Sequence, residues 1–479
     1  MNKATVAIIG GGFCGTVAAI RFLTAARKGG PSLPFGSKLV LIEPQRAGEG
    51  LAYRQGPECW RLNVPAERMS AFPERPDDFL SWARGRNPLV QGSDFLPRAW
   101  YGDYLSERLE IAKQKSPRWL TFERLRTRAI GLEVDDGRAR IRLLDGEVVE
   151  AERVLIANGN SPSAASLPGV DGAVDNPWDL RWTENLPTYV PRVLLVGTGL
   201  TMIDMALAIN ARRQDTRILA ISRHGLLPQP YEGTASDGAA PADLGALLAR
   251  GPLSRRLGRF REAVAASGGN WRAGIQQLRG AMPRLWAAAP RRLRRRFLRH
   301  LRAHWDVHRH RVPQKTLERI EAMKARRKLE VEAGRLVSSR RIKGGIVVSW
   351  RPRGSDEVRE TLVDAVVNVT GPDANPARSA CPLVQSLVEQ GLCEPDGLGL
   401  GWGTDADGRL YDAHGNASQV LYYAGPLLRA RHWEATAVPE LREHVQRTTT
   451  VIASSLATAT GSTLRRLAAP LFGRESAAF

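Results

Sequence analysis

Short apolar, β-branched runs alternate with helical patterns along the chain, and one order of elements occurs twice. Residues 4–9 and 38–42 have the unbroken apolar character of buried parallel strands, and a helical period lies between them. The same sequence of strand, helix and strand begins again with apolar runs at 192–196 and 217–221. A plan of elements that repeats in this way predicts two modules of the α/β class, each with a parallel sheet.

Each set of elements then continues through an alternating, turn-rich segment. Residues 120–150 and 329–362 have the spacing of short antiparallel strands, so they predict two β-meanders. Each meander leads into an apolar strand that ends in a glycine turn, at Asn158-Gly159 and at Thr370-Gly371. A last strand at 421–423 leads into Gly425-Pro426. We expect a helix from about Thr436 to Thr450 to follow it.

Glycines connect the first strand to the first helix in the order G-x-G-x-x-G. This pattern, Gly-Gly-Gly-Phe-Cys-Gly at 10–15, is a dinucleotide-binding fingerprint when it stands between a strand and a helix. Gly10 would make the tight turn, Gly12 would let the backbone approach a pyrophosphate, and Gly15 would let the helix pack closely on the strand. Glu43 follows the second strand, where a carboxylate can bind ribose hydroxyls.

The second set carries a modified form of this fingerprint. Gly197 and Gly199 are present, but Met202 occupies the third glycine position, so helix and strand should lie slightly further apart. No acid follows the second strand, and Arg223 stands there instead. Because an arginine can pair with a 2′-phosphate that an acid would repel, the site favours NADPH over NADH. The alternative is that Arg223 is an ordinary loop arginine.

A helical segment interrupts the second module at residues 237–311. It lacks strand signals, and its helical patterns are strongest at 244–257, 271–278 and 291–305. The run at 291–301 is amphipathic and basic, which predicts either a solvated face or an anion or membrane site. His300, His304 and His308 recur at every fourth residue of this region, but no acid or cysteine completes a metal-binding set, so we predict no metal.

Composition narrows the classes of function. The chain has 479 residues, enough for two or three domains, and a formal net charge of +20. The excess is mostly arginine and no nucleic-acid-binding motif occurs, so we expect anionic cofactors and no specific nucleic acid partner. No apolar run is long enough to span a membrane. Because the first strand begins almost at once, we expect no signal peptide. The four cysteines are scattered, without metal or disulfide spacing, which predicts a reduced, cytoplasmic protein.

Several collinear segments resemble the bacterial FAD-NAD(P)-binding protein family. They lie at 9–15, 61–70, 97–104, 197–204, 222–228, 305–311 and 425–434. More distantly, the plan is similar to the class B flavin monooxygenases, which include amino-acid N-hydroxylases. This chain departs from that class in Met202 and in the helical insertion. The implied cofactors are therefore FAD and NADPH, and the implied fold is two Rossmann-like modules with β-meanders and a helical insertion.

The resemblance also implies roles for individual residues. FAD would be held by Gly10, Gly12, Phe13, Gly15, Glu43, Asn158 and Gly159, with Asn63 and Arg98 near the isoalloxazine, and the site would be closed by Gly425, Pro426, Glu434 and Thr436. NADPH would be held by Gly197, Gly199, Thr201 and Arg223. The substrate would meet His308, His310 and Arg311 at the junction, with Asn63, Arg98, His308 and Arg311 the expected catalytic groups. For Glu434 and Thr436, helix capping is an equal alternative. For the last three substrate residues, favourable cations at a helix C-terminus are an equal alternative.

The expected organisation has five segments. Residues 1–170 and 372–479 would form the FAD-binding module, residues 171–236 and 313–371 the NADPH-binding module, and residues 237–312 the insertion. We expect the insertion to cover the NADPH module and to supply one wall of the substrate cavity, because insertions at the cleft between such modules vary the substrate.

The reaction implied by the resemblance is oxygen transfer. NADPH would reduce FAD, and a flavin C4a-hydroperoxide formed with dioxygen would hydroxylate a small amine- or amino-acid-like substrate. The alternatives are a flavoprotein reductase or dehydrogenase without oxygen transfer, and a flavin-binding interaction or regulatory protein whose basic insertion binds a partner. A disulfide-reductase mechanism is disfavoured because the chain has no C-x-x-C pair. Substrate identity and oligomeric state are not predicted.

Overall fold

The computed structural model describes residues 4–25, 32–160, 167, 169–170, 172–231 and 243–468. Its strands are β1 (Thr5–Ile9), β2 (Lys38–Ile42), β3 (Thr121–Leu125), β4 (Ala129–Asp135), β5 (Arg138–Leu143), β6 (Val148–Ala151), β7 (Arg153–Ile156), β8 (Arg192–Val196), β9 (Arg217–Ser222), β10 (Pro230–Tyr231), β11 (Val312–Pro313), β12 (Leu329–Ile342), β13 (Gly345–Pro352), β14 (Arg359–Val363), β15 (Ala365–Asn368), β16 (Arg409–Tyr411) and β17 (Ala417–Tyr423).

The helices lie on both modules and in the insertion. They are α1 (Phe13–Ala25), α2 (Asp78–Arg86), α3 (Arg98–Gln114), α4 (Leu200–Arg212), α5 (Leu244–Leu247), α6 (Leu253–Ala266), α7 (Trp271–Ala288), α8 (Arg291–His300), α9 (Arg302–Arg309), α10 (Gln314–Ala325), α11 (Pro382–Glu389) and α12 (Val438–Ala468). The helix expected near Thr436 is α12, which begins two residues later and continues well beyond Thr450.

The first sheet has six strands in the order β16-β17-β7-β1-β2-β3. Strands β17, β7, β1, β2 and β3 run parallel, and β16 joins β17 antiparallel at one edge. Helices α1, α3 and α12 pack with these strands around one hydrophobic core. The chain therefore enters this sheet near its start and returns to it after residue 372, as the sequence predicts.

The second sheet has the order β14-β13-β12-β9-β8-β15. Strands β12, β9, β8 and β15 are parallel, whereas β12, β13 and β14 are antiparallel. The long strand β12 belongs to both arrangements, because Leu329–Ala333 pairs with β9 and Gly334–Ile342 pairs with β13. The meander expected at 329–362 is therefore a continuation of the parallel sheet. The α/β class with two dinucleotide-binding-type sheets is confirmed.

The meander expected at 120–150 is partly wrong. Strands β4, β5 and β6 form an antiparallel three-stranded sheet, but β3 pairs in parallel with β2 and forms the edge of the first sheet. Local pattern does not distinguish these outcomes, because an edge strand is half exposed and alternates in polarity like a meander strand. Lys38 pairs with Thr121, which is far along the chain, so patterns among neighbouring residues cannot reveal this pairing.

The helices of the insertion differ from the expected ones at three points. The helix predicted at 244–257 is broken into α5 and α6, because Gly251 has a positive φ of 101° and Pro252 follows it. Helix α7 extends ten residues beyond the predicted end and passes through Pro283. The helix predicted at 291–305 divides at Leu301 into α8 and α9.

The position of the insertion is also different from the expected one. Its apolar core packs on residues 398–433, which return toward the first sheet, and not mainly on the second module. The Trp286 and Trp433 rings lie 4.6 Å apart, and Trp286 Nε1 donates a hydrogen bond to the Ala430 carbonyl. The second module contributes a backbone hydrogen bond from Gln229 to Val307. None of the described helices is both long and apolar enough to cross a membrane.

Candidate functional site

The first glycine loop has the backbone geometry that its sequence predicts. Gly10 has a φ of 102°, and a Cβ there would lie 2.5 Å from the Ala157 carbonyl oxygen. A Cβ on Gly15 would lie 1.8 Å from the Gly10 oxygen, so only glycine allows α1 to pack this closely on β1. Beside Gly12, by contrast, the nearest atom to a Cβ would be Gly50 Cα at 3.6 Å. The backbone of Gly12 therefore borders open space.

The surroundings of this loop fit an FAD adenosine diphosphate. Glu43, at the end of β2, accepts the Gly11 N–H at 2.7 Å with Oε2 and the Gln45 N–H at 2.9 Å with Oε1. Asn158 Oδ1 is buried and accepts no hydrogen bond from the described residues, and a Cβ on Gly159 would meet nothing within 4 Å. An orphaned acceptor beside an open, glycine-lined space is the arrangement that a polar cofactor satisfies.

Phe13 has a structural position in the same region. It begins α1, is buried, and its ring packs on Tyr101 with 6.2 Å between centroids. The N-terminus of α1 therefore lies between the open space at Gly12 and an aromatic cluster on α3. The role of Phe13 toward a cofactor stays a prediction.

The second glycine loop repeats the first. Gly197 has a φ of 119°, and a Cβ there would lie 2.6 Å from the Val369 carbonyl oxygen. Gly199 precedes α4, and a Cβ on it would meet nothing within 4 Å. Thr201 lies in the first turn of α4 and is half-buried, whereas Met202 is fully buried in the core below. Open space beside a glycine therefore recurs at the second loop.

The end of β9 carries more positive charge than the sequence pattern indicates. Arg223 is exposed directly after the strand, and His224 Nδ1 lies 2.9 Å from Arg353 Nη1. Burial, Arg353, Arg223 and Arg335 all lower the pKa of His224. Sequence reasoning missed Arg353, because it follows β13 and lies 129 residues along the chain from His224. Arg353 therefore adds a second arginine near Arg223, at the end of β9 where we predict a 2′-phosphate.

A pocket of about 60 Å³ lies where the first module, the insertion and the start of α12 meet. We call it the arginine pocket, and it is lined by Asn63, Val64, Arg68, Tyr231, Ile275, Gln276, Arg279, His308, Arg309, Arg311, Ala437 and Pro439. It brings together the predicted Asn63, His308 and Arg311. No carboxylate is among the lining residues, but Arg279 and Arg309 pair with Glu434 and Glu440 behind the wall. The positive charge that the pocket offers to an anionic group therefore comes mainly from Arg68 and Arg311.

His308 is the histidine of this pocket, and its surroundings lower its pKa. Burial, Arg311, His304 and Arg272 all lower its pKa below the ordinary histidine value. Its Nδ1 is buried without a hydrogen-bond partner among the described residues. At neutral pH the imidazole is therefore uncharged and can accept a proton. His310 does not join it, because its Nε2 lies 4.0 Å from Asp306 Oδ1.

Arg98 lies apart from the other three residues expected to be catalytic. Its Nη2 donates to Asp204 Oδ2 at 2.6 Å, and its Nε donates to the Arg61 carbonyl at 3.0 Å. Asp204 lies on α4 and is 6% exposed, so this ion pair connects the two modules in a buried position. Trp60 Nε1 adds a hydrogen bond to the Asp204 carbonyl at 3.2 Å. This ion pair occupies the Arg98 guanidinium. The residues next to Arg98 in the sequence do not indicate that Asp204 is its partner.

Asp204 gives the stability of the protein a distinctive pH dependence. Burial raises its pKa from 3.8 to about 6, against the effect of Arg98. The folded protein therefore binds this proton before the unfolded chain does, and the contribution of Asp204 to the free energy of unfolding falls as pH rises through that range. We expect Asp204→Asn to remove up to about 3 kcal/mol of this dependence. Urea unfolding of both proteins at about pH 4 and about pH 7 measures it, and an equal difference at both values would contradict it.

Glu434 lies in a buried ion-pair cluster. Glu434 is 4% exposed and accepts from Arg309 Nε of α9 at 2.5 Å, and Arg279 of α7 lies 3.9 Å away. Arg279 also pairs with Glu440 on α12. The cluster therefore fastens the insertion to the chain segment that closes the first module. Glu434 was expected at the flavin edge or as a helix cap, and neither role uses these two arginines.

The segment around Glu434 positions the other predicted closing residues. Gly425 and Pro426 lie shortly after β17, which ends at Tyr423, at the carboxyl edge of the first sheet. Thr436 precedes α12 by two residues, and its N–H donates to the Glu434 carbonyl at 2.6 Å. Ala437 and Pro439 of the same stretch line the arginine pocket, so the N-terminus of α12 faces it. A helix N-terminus there favours negative charge.

The four cysteines do not form a redox pair. All of them, Cys14, Cys59, Cys381 and Cys393, are free thiols in the structure. Burial raises the pKa of Cys14 to about 12, and it raises the pKa of Cys393 further. A thiol with such a pKa is a poor nucleophile at neutral pH, so the geometry contains no dithiol centre.

Comparison with known proteins supports the cofactor-binding part of this description. Residues 7–161 match the model of the FAD-NAD(P)-binding family. No protein of curated function matches the chain by sequence.

Solved structures match nearly the whole chain at low sequence identity. The L-lysine 6-monooxygenase from Pseudomonas syringae has a TM-score of 0.64 and 15% identity, over 95% of this chain and 100% of that chain. The ornithine N-hydroxylase from Kutzneria sp. 744 has a TM-score of 0.62 and 16% identity, over 96% and 100%. The bacillithiol disulfide reductase from Staphylococcus aureus has a TM-score of 0.53 and 14% identity, over 95% and 99%.

These likenesses confirm the distant resemblance that the sequence indicates, and they establish the fold. The chain carries an FAD-NAD(P)-binding domain at residues 7–161 and has, over nearly its whole length, the two-module fold of the flavin-dependent N-hydroxylating monooxygenases.

Proposed function

We propose that this protein is an FAD-dependent, NADPH-reduced monooxygenase that hydroxylates an amine- or amino-acid-like substrate with dioxygen. The observation that carries the proposal is the arginine pocket, which joins Asn63 of the first module to His308 and Arg311 of the insertion. The similar structures include hydroxylases of ornithine and lysine, and both of these substrates carry a carboxylate and an amine. A cationic pocket suits the carboxylate.

The residues of the pocket have separable tasks in this proposal. FAD, when bound and reduced by NADPH, supplies the hydride and oxygen chemistry. Arg68 and Arg311 hold the carboxylate of the substrate, and Asn63 orients its polar groups. Neutral His308 accepts a proton from the substrate ammonium and becomes the imidazolium, so that the nitrogen, now a neutral amine, presents a lone pair. The apolar helices of the insertion exclude water from the junction.

The main alternative is a reductase that passes electrons to another acceptor. The likeness to a bacillithiol disulfide reductase favours it, since that fold is shared. The thiols argue against a dithiol version, because the four cysteines are unpaired and two of them have strongly raised pKa values. NADPH consumption by the purified protein, with a panel of amino acids and amines and with detection of hydroxylated product, separates the two. Substrate-stimulated NADPH consumption without an oxygenated product would favour the reductase.

Variants of the arginine pocket test the proposed substrate groups. We expect Arg311→Ala to lower kcat/KM for the substrate about tenfold to a hundredfold, because a charge-assisted contact is lost, and His308→Ala to lower kcat. FAD content, measured by absorbance, should stay at the wild-type level in both. Lys315→Ala, an exposed cation on α10, is the matched control and should leave turnover unchanged. Wild-type kcat/KM in both pocket variants would contradict the assignment.

Cofactor choice is tested at the end of β9. We expect Arg223→Ala to raise KM for NADPH about tenfold to a hundredfold while KM for NADH changes less than about twofold, since the lost partner is the 2′-phosphate. Arg217→Ala, at the opposite end of the same strand, removes an exposed arginine as the control. Steady-state NADPH and NADH oxidation measures both constants. Equal effects on the two coenzymes would show that Arg223 does not recognise the phosphate.

A further inference from the structure

The helices of the insertion line a second, much larger cavity. Helices α6 to α9, together with Leu248 directly after α5, form the wall of a partly open space of about 590 Å³, a volume typical of ligand-binding sites. Its wall is apolar, and many of its side chains are only half-buried although they face one another. They include Leu257, Phe260, Leu278, Leu285, Leu293 and Phe297. Since nothing among the described residues fills the space, this wall has apolar surface to bury against a ligand.

The charged groups on the wall have one sign. Arg256, Arg261 and Arg294 line the cavity together with three histidines, and no carboxylate does. His300, His304 and His308, which the sequence places at every fourth residue, all contribute to the wall. Among the described residues no group of three possible metal ligands occurs, so these imidazoles do not form a metal site there. An apolar chamber with cationic groups is complementary to an amphiphile that carries negative charge.

The cavity adjoins the arginine pocket. Ile275 and His308 line both spaces. His308 stands between them, with its ring 4.5 Å from Trp271 and its buried Nδ1 without a partner among the described residues. The Arg311 guanidinium lies 5.8 Å from the Trp271 ring on the same side. An apolar chain in the cavity would therefore bring a polar head directly to the arginine pocket.

We propose that the insertion cavity holds the hydrocarbon tail of the substrate, and that the carboxylate head of the same molecule lies in the arginine pocket. The inference rests on the proposed function and names its substrate class, a free carboxylic acid with a long unbranched tail on its amino-acid-like head. This substrate is larger than the small amine- or amino-acid-like molecule expected from the sequence, because it carries a tail. A short cationic amino acid would leave the apolar chamber unused, whereas a tail of this kind buries it.

Binding of straight-chain carboxylates to the FAD-loaded protein tests the tail site without turnover, because these acids contain no oxidisable amine. We expect calorimetric titration with hexanoate, decanoate and tetradecanoate, kept below micelle formation, to give a gain of up to about fourfold per methylene. Tetradecanol, which has the same tail without the carboxylate, should bind more weakly. Arg311→Ala should reduce that difference, because Arg68 is then the remaining arginine assigned to the carboxylate. Affinity that does not change with chain length would overturn the proposal.

A pair of adjacent substitutions locates the tail. Ala289 lines the cavity at the end of α7, so Ala289→Trp should fill part of it and weaken tetradecanoate binding at least about tenfold, with little effect on hexanoate. Ala288 is exposed and does not line the cavity, so Ala288→Trp is the matched control. Equal affinities in the two variants would overturn the proposal. So would capture by anionic vesicles that Ala289→Trp abolishes and Ala288→Trp does not, or a dimer that Ala289→Trp dissociates, since each names a different occupant.

The outcome is distinguishable from a failure of the proposed function. Suppose that carboxylate affinity rises with chain length as expected, but that no amine or amino acid is oxygenated. The tail site is then supported, and the monooxygenase assignment fails. Suppose instead that Ala289→Trp hydroxylates short amino acids at the full rate, and that carboxylate affinity does not change with chain length. The monooxygenase assignment is then supported, and the tail site fails.

Discussion

Gly12→Val is expected to yield a folded protein that contains almost no FAD. A Cβ at this position would meet only Gly50 Cα, at 3.6 Å, so valine causes no clash within the protein itself. The space that it fills is the one in which we predict the pyrophosphate. We expect a loss of at least about a hundredfold in FAD affinity, seen as the loss of flavin absorbance in the purified protein and in titration with added FAD.

Two other glycines provide controls for this result. Gly85 lies exposed on α2 with nothing within 4 Å of a Cβ, so Gly85→Val should leave the flavin content unchanged. Gly15→Val should behave differently again, because its Cβ would lie 1.8 Å from the Gly10 oxygen and would disturb the packing of α1 on β1. Thermal unfolding separates the two effects. A Gly12→Val protein that retains its full yellow colour would disprove the predicted position of the pyrophosphate.

Glu434→Ala is expected to have the largest effect on stability. The substitution leaves the Arg309 side chain, 8% exposed, and the Arg279 side chain, 15% exposed, without their central carboxylate. Breaking a buried pair from one side costs about 3–5 kcal/mol, because an uncompensated charge stays buried. Denaturant unfolding measures the loss. Hydrogen exchange should show that amides of α7 and α9 lose protection before those of β1 and β7, since the cluster fastens the insertion to the first module.

Two variants show whether the unpaired buried charge causes the loss of stability in Glu434→Ala. Glu443 is exposed on α12, the helix that follows Glu434, so Glu443→Ala should change stability by less than about 0.5 kcal/mol. The double variant Arg309→Met, Glu434→Leu removes both charges and should recover much of the loss. If Glu434→Ala proved as stable as Glu443→Ala, the cluster would not hold the insertion in place.

The features that the sequence predicts well are those encoded within a few residues. Gly10 and Gly197 adopt positive φ because a strand must turn at once into a helix, and only glycine does this without strain. The apolar runs of β1, β2, β8 and β9 are long enough and β-branched enough to identify parallel strands. The break between α5 and α6 was also visible in principle, because Gly251 and Pro252 are adjacent, but the apolar period on both sides obscured it.

The features that the sequence does not predict depend on distant partners. Arg98 and Asp204 are 106 residues apart, and Arg309 and Glu434 are 125 residues apart. Each of these side chains looks like an ordinary surface or terminal charge until the fold buries it beside its partner. The insertion is a similar case, since its amphipathic helices show that it must pack on something, but not that the partner is the segment around Trp433. The cavity is formed where the helices of the insertion pack around it, so patterns along the sequence do not predict it either.

The two ends of the insertion lie side by side. Strands β10 and β11 pair through Pro230–Tyr231 and Val312–Pro313, so the chain leaves the second module and rejoins it at one place. Loop-closure entropy changes only slowly with the number of residues enclosed, so the module tolerates segments of very different length at this junction. The helices between β10 and β11 can therefore be exchanged by recombination, or replaced by a designed cassette, without changing the connectivity of the second sheet. A replacement would still have to supply partners for Trp433 and Glu434, on which the present helices pack.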